Sequence, residues 1–284
     1  MKIVNLIEDT QGRAECVCAH GLSFYIETAK HKLLLDLGPS EETLHNAIKL
    51  GIDLSKIDTV ILSHGHYDHS GGIMPFAKIN PQATIYMQES AGADYYADDG
   101  RRAEDGRYRY IGIDKKIMGL TQVTKLQGDY SIDDELELFT IKSRSHEVPF
   151  TNKRLLIRDG NEFVRDDFIH EQYLVIKDGD KRILMSGCAH NGMLSILDAF
   201  TDKYGVAPDV VISGFHLMKK TEYKDEELWQ ITDLGNELKK YPTQFITCHC
   251  TGEPAYEIMK LAMGDRLRYV RSGEEVILPD SISM

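Results

Sequence analysis

No apolar run in this chain approaches the roughly 18 residues that a membrane-crossing helix needs. Its opening, MKIVNLIEDT, lacks both the long apolar stretch and the small-residue cleavage site of an export signal. The expectation is a cytoplasmic protein without a membrane partner. Clusters of lysine and arginine are also missing: the formal net charge is −12 and the pI is near 5.4. A net negative field repels phosphate backbones, so nucleic acid is not an expected partner and a small-molecule substrate is. A disulfide framework is absent, because the five cysteines are odd in number and irregular in spacing, which suits a reducing compartment. Cys16, Cys18, Cys248 and Cys250 would make a four-sulfur zinc site if their pairs met, but a strand points both members of a C-x-C pair the same way without any metal. Buried structural thiols are expected instead. Neither an internal repeat nor a low-complexity tract is present.

What the sequence does contain is enough apolar material for a large core: 42% of its 284 residues are hydrophobic and 27% charged. Strand-like runs at 2–7, 22–28 and 32–37 precede a helical pattern in EETLHNAIKLG, whose apolar face ends at Gly51. The strand TVILS follows, then a short helix in GGIMPFAKI and the strand ATIYM. From about 92 to 120 the chain is rich in charge, tyrosine and glycine with no steady apolar period, which marks an insertion or lid. Strands resume in ELELFTIK, KRLLIRD and EQYLVIKDGDKRILMSG, the last a hairpin turned at Asp178-Gly179-Asp180. Helices at 193–204, 225–240 and 254–263 then alternate with the strands DVVISG and QFITC, and EEVIL reads as a final strand. Two blocks of strands, each followed by helices, predict a single α/β domain over 1–284, with two stacked sheets and helices outside.

The chemistry concentrates in SHGHYDHSGG, which follows the buried strand TVILS and packs His64, His66, Asp68 and His69 into six positions. A loop leaving the C-terminal end of a buried strand is where α/β sheets place their functional groups. His64 and His66, two apart at a strand end, point the same way and reach one cation at about 2 Å from a ring nitrogen. Asp68 and His69, at a turn, are free to serve a second position beside the first. Imidazole-rich ligation favours zinc, with manganese or iron as alternatives. His190 in GCAHNG, His216 in GFHL and His249 in TCHCTG each sit just past an apolar strand, whereas His170 in DDFIHEQ precedes one. His20, His31, His45 and His146 lie in surface-like or helical contexts and carry no signal.

His64-Gly65-His66-Tyr67-Asp68-His69 resembles the H-x-H-x-D-H signature of the metallo-β-lactamase superfamily, and the resemblance spans nearly the whole chain. SHGHYDHSGG, DDFIHEQ, GCAHNG, GFHL and HCTG together resemble the branch called metal-dependent hydrolases, superfamily II, some members of which are labelled dihydropterin ribofuranosylaminobenzene phosphate synthase. The resemblance implies a four-layer αββα sandwich with one or two metals in the cleft between sheets, and an Asp36 that braces the metal loop. It implies a first cation held by His64, His66 and a third histidine, His190 or alternatively His170. It implies a second held by Asp68, His69 and His249. Many members carry a metal-bridging aspartate where this chain has Cys188, so that thiol is either a ligand or packed inward.

Two cations sharing a water lower its pKa toward neutrality and present hydroxide to a carbonyl or phosphorus. Asp68 is expected to ligate and accept the proton, and His216, needed by neither cation, to bind substrate or the developing oxyanion. The expected function is a metal-dependent hydrolase of a small phosphorylated, ester or thioester substrate. A pterin-related synthase or transferase and a non-enzymatic metal or ligand sensor are the alternatives. A di-iron redox centre is disfavoured, since His66 stands where such proteins place a carboxylate.

Overall fold

The computed structural model describes residues 1–100 and 107–278. Its first sheet runs in the order β1 (Lys2–Ile7), β2 (Ser23–Glu27), β3 (Lys32–Leu35), β4 (Thr59–Ile61), β5 (Thr84–Gln88) and β8 (Val123–Leu126). Between β5 and β8, β6 (Tyr95–Asp98) and β7 (Tyr108–Tyr110) leave to join β11 (Leu155–Asp159) and β12 (Glu162–Arg165) in a small third sheet. The second large sheet is ordered β17 (Leu267–Tyr269), β16 (Gln244–Thr247), β15 (Val210–Ser213), β14 (Lys181–Met185), β13 (Tyr173–Asp178), β10 (Leu136–Phe139) and β9 (Tyr130–Ser131).

Side-chain alternation explains the layering. In KLLL, Leu33 and Leu35 face the second sheet with Phe24, Leu138, Leu174 and Ile183. Leu34 points the other way, to α1 (Glu42–Lys49) and, beyond the one-turn α2 (Tyr67–Ser70), α3 (Ile73–Ile79), where Leu44, Ala47, Ile73 and Phe76 cover it. The second sheet repeats the arrangement: Met185 and Ile212 enter the layer between sheets. Leu184 and Val211 meet α4 (Met193–Tyr204), α5 (Asp225–Leu238) and α6 (Glu253–Met263). Strands buried on both faces read as unbroken apolar runs, and each fully buried side chain among them contributes about 1.5–3 kcal/mol. The order helix, sheet, sheet, helix is the αββα sandwich expected.

Parallel pairing places the site. β3, β4, β5 and β8 are mutually parallel neighbours in one sheet, and β14, β15, β16 and β17 in the other. The loops that follow β14, β15 and β16, carrying His190, His216 and His249, therefore leave one edge together, and they meet the loop after β4.

One local expectation is corrected. EEVIL forms no sheet strand: Gly273 (φ 82°) turns the chain. Glu275 then makes an isolated bridge to Val4, and the Val276 amide donates to the Ile3 carbonyl at 2.9 Å. The last strand is instead Leu267–Tyr269, three residues in which the exposed Arg268 obscures the apolar pattern. The segment from 92 to 120, expected as an insertion or lid, carries strands among its described residues. Its Tyr95–Asp98 and Tyr108–Tyr110 strands pair with each other, and Tyr95–Asp98 pairs also with Leu155–Asp159; Gly112 bridges to His66. Residues 101–106 of the expected lid lie outside the described residues. No described helix is long and apolar enough to cross a membrane.

His31, at the start of β3, holds Asp58 (2.7 Å) and Asp133 (3.0 Å) through its two ring nitrogens. Burial pulls this imidazole down, but the two carboxylates outweigh it and raise its pKa. A group raised on folding stabilises below its unfolded pKa of about 6.5 and loses that contribution as pH climbs through the folded value. The advantage of wild type over His31→Ala in urea unfolding is expected to be largest below that pH, about 1 kcal/mol or less for so exposed a pair, and to shrink above it. An advantage that grew with pH would contradict this account.

Candidate metal centre

The loop after β4 is anchored by one carboxylate. Asp36, fully buried, accepts from the Ser63 amide (2.7 Å), the Ser63 hydroxyl (2.7 Å) and His69 Nδ1 (2.6 Å). Gly71 then lets the loop close on its neighbour, since a Cβ there would stand 1.9 Å from the Pro39 carbonyl oxygen. Asp36, Phe168, Ala189, His216 and His249 all have φ between 49° and 61°. Five non-glycine residues in the left-handed region, all at or beside the candidate ligands, store strain where function is expected.

His64, His66 and His190 converge as a first cage, each with a ligand atom within 4.8 Å of the others. The Nε2 atoms of His64 and His190 are 3.3 Å apart, close to the separation of about 3.3 Å that two nitrogens have on a tetrahedral cation. Their Nδ1 atoms are already occupied, His64 by the Ser63 hydroxyl (2.8 Å) and His190 by the Asn152 side-chain oxygen (3.0 Å). Such partners fix the tautomer and aim the other nitrogen. His66 Nε2 is buried without any hydrogen-bond partner. Burial and the neighbouring rings push His64 and His190 well below the ordinary histidine range and His66 down to about 3, so all three are neutral, the form that binds metal.

Asp68, His69 and His249 form the second cage. Asp68 Oδ2 lies 3.6 Å from His69 Nε2 and 3.5 Å from His249 Nε2. Asp36 locks His69 from behind, and Asp9 Oδ2 holds His249 Nδ1 at 2.5 Å. His249 Nε2, like His66 Nε2, is buried with no partner. Burial would raise the Asp68 carboxyl, but His69 and His249 outweigh it and keep it ionised. An orphaned ring nitrogen in each cage and a donor set of imidazoles with one carboxylate fit a first-row divalent cation such as zinc.

Cys188 stands between the two cages. Its sulfur is 3.2 Å from His69 Nε2 and shares ligand-distance groups with His64 and His69, with His190 and His216, and with His249 and Cys250. Burial pushes its thiol well above the ordinary range. The Cys248/Cys250 pair does not share a face as a strand would have it: Cys248 lies in the layer between sheets, while Cys250 turns with His249 in a short 3-10 segment beside the cages. All five cysteines are free.

His170 departs from the expected ligand role. Its Nδ1 accepts from the Gly65 amide (2.9 Å) and its Nε2 donates to Asp166 (3.0 Å), so neither ring nitrogen is left for a metal. It braces the His64 loop, and His190 remains the candidate third histidine. His216 is where a substrate-facing group would be: its ring lies 4.2 Å from that of His190, and its Nδ1 is buried without a partner.

Several contributors left no mark in the sequence. Glu171, buried, accepts from the His190 and Asn191 amides (2.7 and 2.9 Å) and so holds the His190 loop as Asp36 holds the first. Glu8 accepts from the His249 amide at 2.8 Å and does the same for the third. Asp9 and Asn152 orient ligands, and His20, read as a surface residue, contacts Asp68 and His249. The only cue for Asp9 is its place just after a strand end. Beside the first cage lies a cavity of about 560 Å³, bordered by Arg144, Asn152, Lys153, Arg165, Phe168 and Gln230. Phe168 stacks on the His190 ring at 4.6 Å.

Several known proteins are similar to this chain over nearly its whole length. An uncharacterised protein of Methanocaldococcus jannaschii is 26% identical over 279 residues, which cover 96% of this chain and 98% of its own. A 7,8-dihydropterin-6-methyl-4-(beta-D-ribofuranosyl)-aminobenzene-5'-phosphate synthase of the same organism is 30% identical over 271 residues, 89% of this chain and 88% of its own. The solved structure of Tm1679, described as a metal-dependent hydrolase of the beta-lactamase superfamily, covers 99% of this chain and 100% of its own at 26% identity with a TM-score of 0.79. Residues 17–214 match the family description, and with the H-x-H-x-D-H loop set on an αββα sandwich, the chain belongs to the metallo-beta-lactamase superfamily.

Proposed function

We propose that the protein is a metal-dependent hydrolase with two adjoining cation positions, acting on a small phosphorylated, ester or thioester substrate. The observation that carries this reading is the convergence of locked imidazoles: hydrogen bonds fix the Nδ1 atoms of His64, His190, His69 and His249, so their Nε2 atoms aim into two neighbouring cages. Zinc is the first candidate, with manganese or iron behind it. His64, His66 and His190 would hold one cation and Asp68, His69 and His249 the other, and the metal would supply Lewis-acid activation of water for attack on a carbonyl or phosphorus.

The chain's own residues do the rest. Asp68, ionised between His69 and His249, would orient the attacking water and take its proton. His216 Nδ1, buried and unpartnered, faces the reacting oxygen or the bound substrate. The cavity beside His190 has the volume of a small-molecule site, and Phe168, on its lining, stacks on the His190 ring.

Elemental analysis of protein purified without added metal or chelator tests the reading. About two zinc, manganese or iron atoms per chain are expected, and His66→Ala and His190→Ala should each lose one with at least about a hundredfold drop in hydrolysis, since even the partner that orients a ligand is worth 10–100-fold. Metal content unchanged by His190→Ala would remove that residue from the site. The similarity to a synthase favours a second reading, a pterin-related synthase or transferase on the same scaffold. Turnover that requires two organic substrates, with none on phosphoester, ester or thioester panels, would select it. Metal binding with no turnover of any kind would select a sensor.

A further inference from the structure

We propose that His20 is a fourth protein ligand of the second cation position, an exposed one that closes the cage from the solvent side. The proposal rests on the two-cation reading above and adds a residue to it.

The argument is a repeated geometry. Asp68 Oδ2 is nearly equidistant from three imidazole Nε2 atoms: His249 at 3.5 Å, His69 at 3.6 Å and His20 at 3.6 Å. Each of these rings is held from behind by a carboxylate. Asp36 takes His69 Nδ1 at 2.6 Å. Asp9 takes two rings at once, His249 Nδ1 on Oδ2 at 2.5 Å and His20 Nδ1 on Oδ1 at 2.8 Å. An ionised carboxylate only accepts, so His20 and His249 both donate from Nδ1, and Nε2 is the atom each ring has to offer a metal, in its unprotonated form. A carboxylate behind an imidazole is the usual arrangement of a metal-bound histidine.

Separations of 3.5–3.6 Å are too long for good hydrogen bonds. They are close to the spacing of about 3.3 Å between donors on a tetrahedral cation. His20 thus shares with His69 and His249 the spacing from Asp68 Oδ2 and a carboxylate behind the ring. It differs in exposure: its side chain is 51% accessible, while theirs are fully buried. A ligand on the open side leaves without unpacking anything, so His20 is the one that can swing away when a substrate oxygen enters the cage.

The test is metal binding, read without turnover. Wild type, His20→Ala and, as a surface control, His45→Ala are stripped and titrated with Zn²⁺ against a chromophoric chelator, then with Co²⁺ by visible absorption. The expected result is a second equivalent bound at least about tenfold more weakly by His20→Ala, an unchanged first equivalent, an altered cobalt spectrum for the second, and no effect of His45→Ala. Asp9→Ala, which releases both clamped rings, should weaken the second equivalent further. Two equivalents in His20→Ala with wild-type affinity and spectrum would overturn the assignment alone. A wild type that binds only one equivalent would overturn it together with the two-cation reading.

Discussion

Asp36→Ala is expected to lower folding stability by about 3–5 kcal/mol, the loss typical of removing one partner from a buried charge pair. The carboxylate is fully buried and serves three donors, the Ser63 amide, the Ser63 hydroxyl and His69 Nδ1. Truncation strands all three. Urea unfolding monitored by far-UV circular dichroism measures the loss. Asp36→Asn separates packing from chemistry. Its amide keeps the shape and still accepts from Ser63, but the NH₂ group now faces the N–H of His69, so the ring must turn or change tautomer. A milder stability loss is expected, with the second cation bound at least tenfold more weakly. Equal cation affinity in Asp36→Asn and wild type would show that the His69 tautomer is fixed by something else.

The second large effect falls on the other sheet. Glu171 accepts four hydrogen bonds, from the His190 and Asn191 amides, Asn191 Nδ2 (2.9 Å) and the Tyr173 hydroxyl (2.6 Å), at 1% exposure. Glu171→Ala leaves two backbone N–H groups buried and unpaired, each worth about 1–3 kcal/mol, so a total near 3–5 kcal/mol is expected. His190 should lose its position with them, and the first cation with His190. Glu171→Gln restores one acceptor oxygen and should recover part of both. Two measurements decide the matter: metal stoichiometry of both variants, and hydrogen exchange at the His190 and Asn191 amides. Amides as protected in Glu171→Ala as in wild type would refute the role of this carboxylate.

What was legible in the sequence is what repeats locally. KLLL, TVI and VVIS are buried on both faces and read as unbroken apolar runs, so their strands and the layers over them followed directly. The H-x-H-x-D-H loop is contiguous, and His190, His216 and His249 share one cue, a place just past a strand that proves parallel to its neighbours. Asp9 and His20 offered no cue of that kind. Their partner His249 lies on another strand end, and nothing in IEDTQG or CAHGLS marks the meeting. The tyrosine-rich strands were missed for a different reason: Tyr95–Asp98 and Tyr108–Tyr110 are half-exposed, so their apolar alternation is diluted by charge. His170 misled because a histidine that braces a ligand loop and one that ligates look alike in a string of letters.

The separation along the chain between Asp9 and His249 is 240 residues, and that between Asn5 and Val270 is 265. Such contacts cannot form until nearly the whole polypeptide has been made, and they slow folding, since their loop-closure entropy comes before any reward. The residues of the first cage are all synthesised once position 190 has left the ribosome, together with the carboxylates that brace them at 36 and 171. Those of the second wait for position 249. On the proposed reading, the two cation positions therefore have an order in time as well as in space: an emerging chain carries the complete first ligand set before it carries the second.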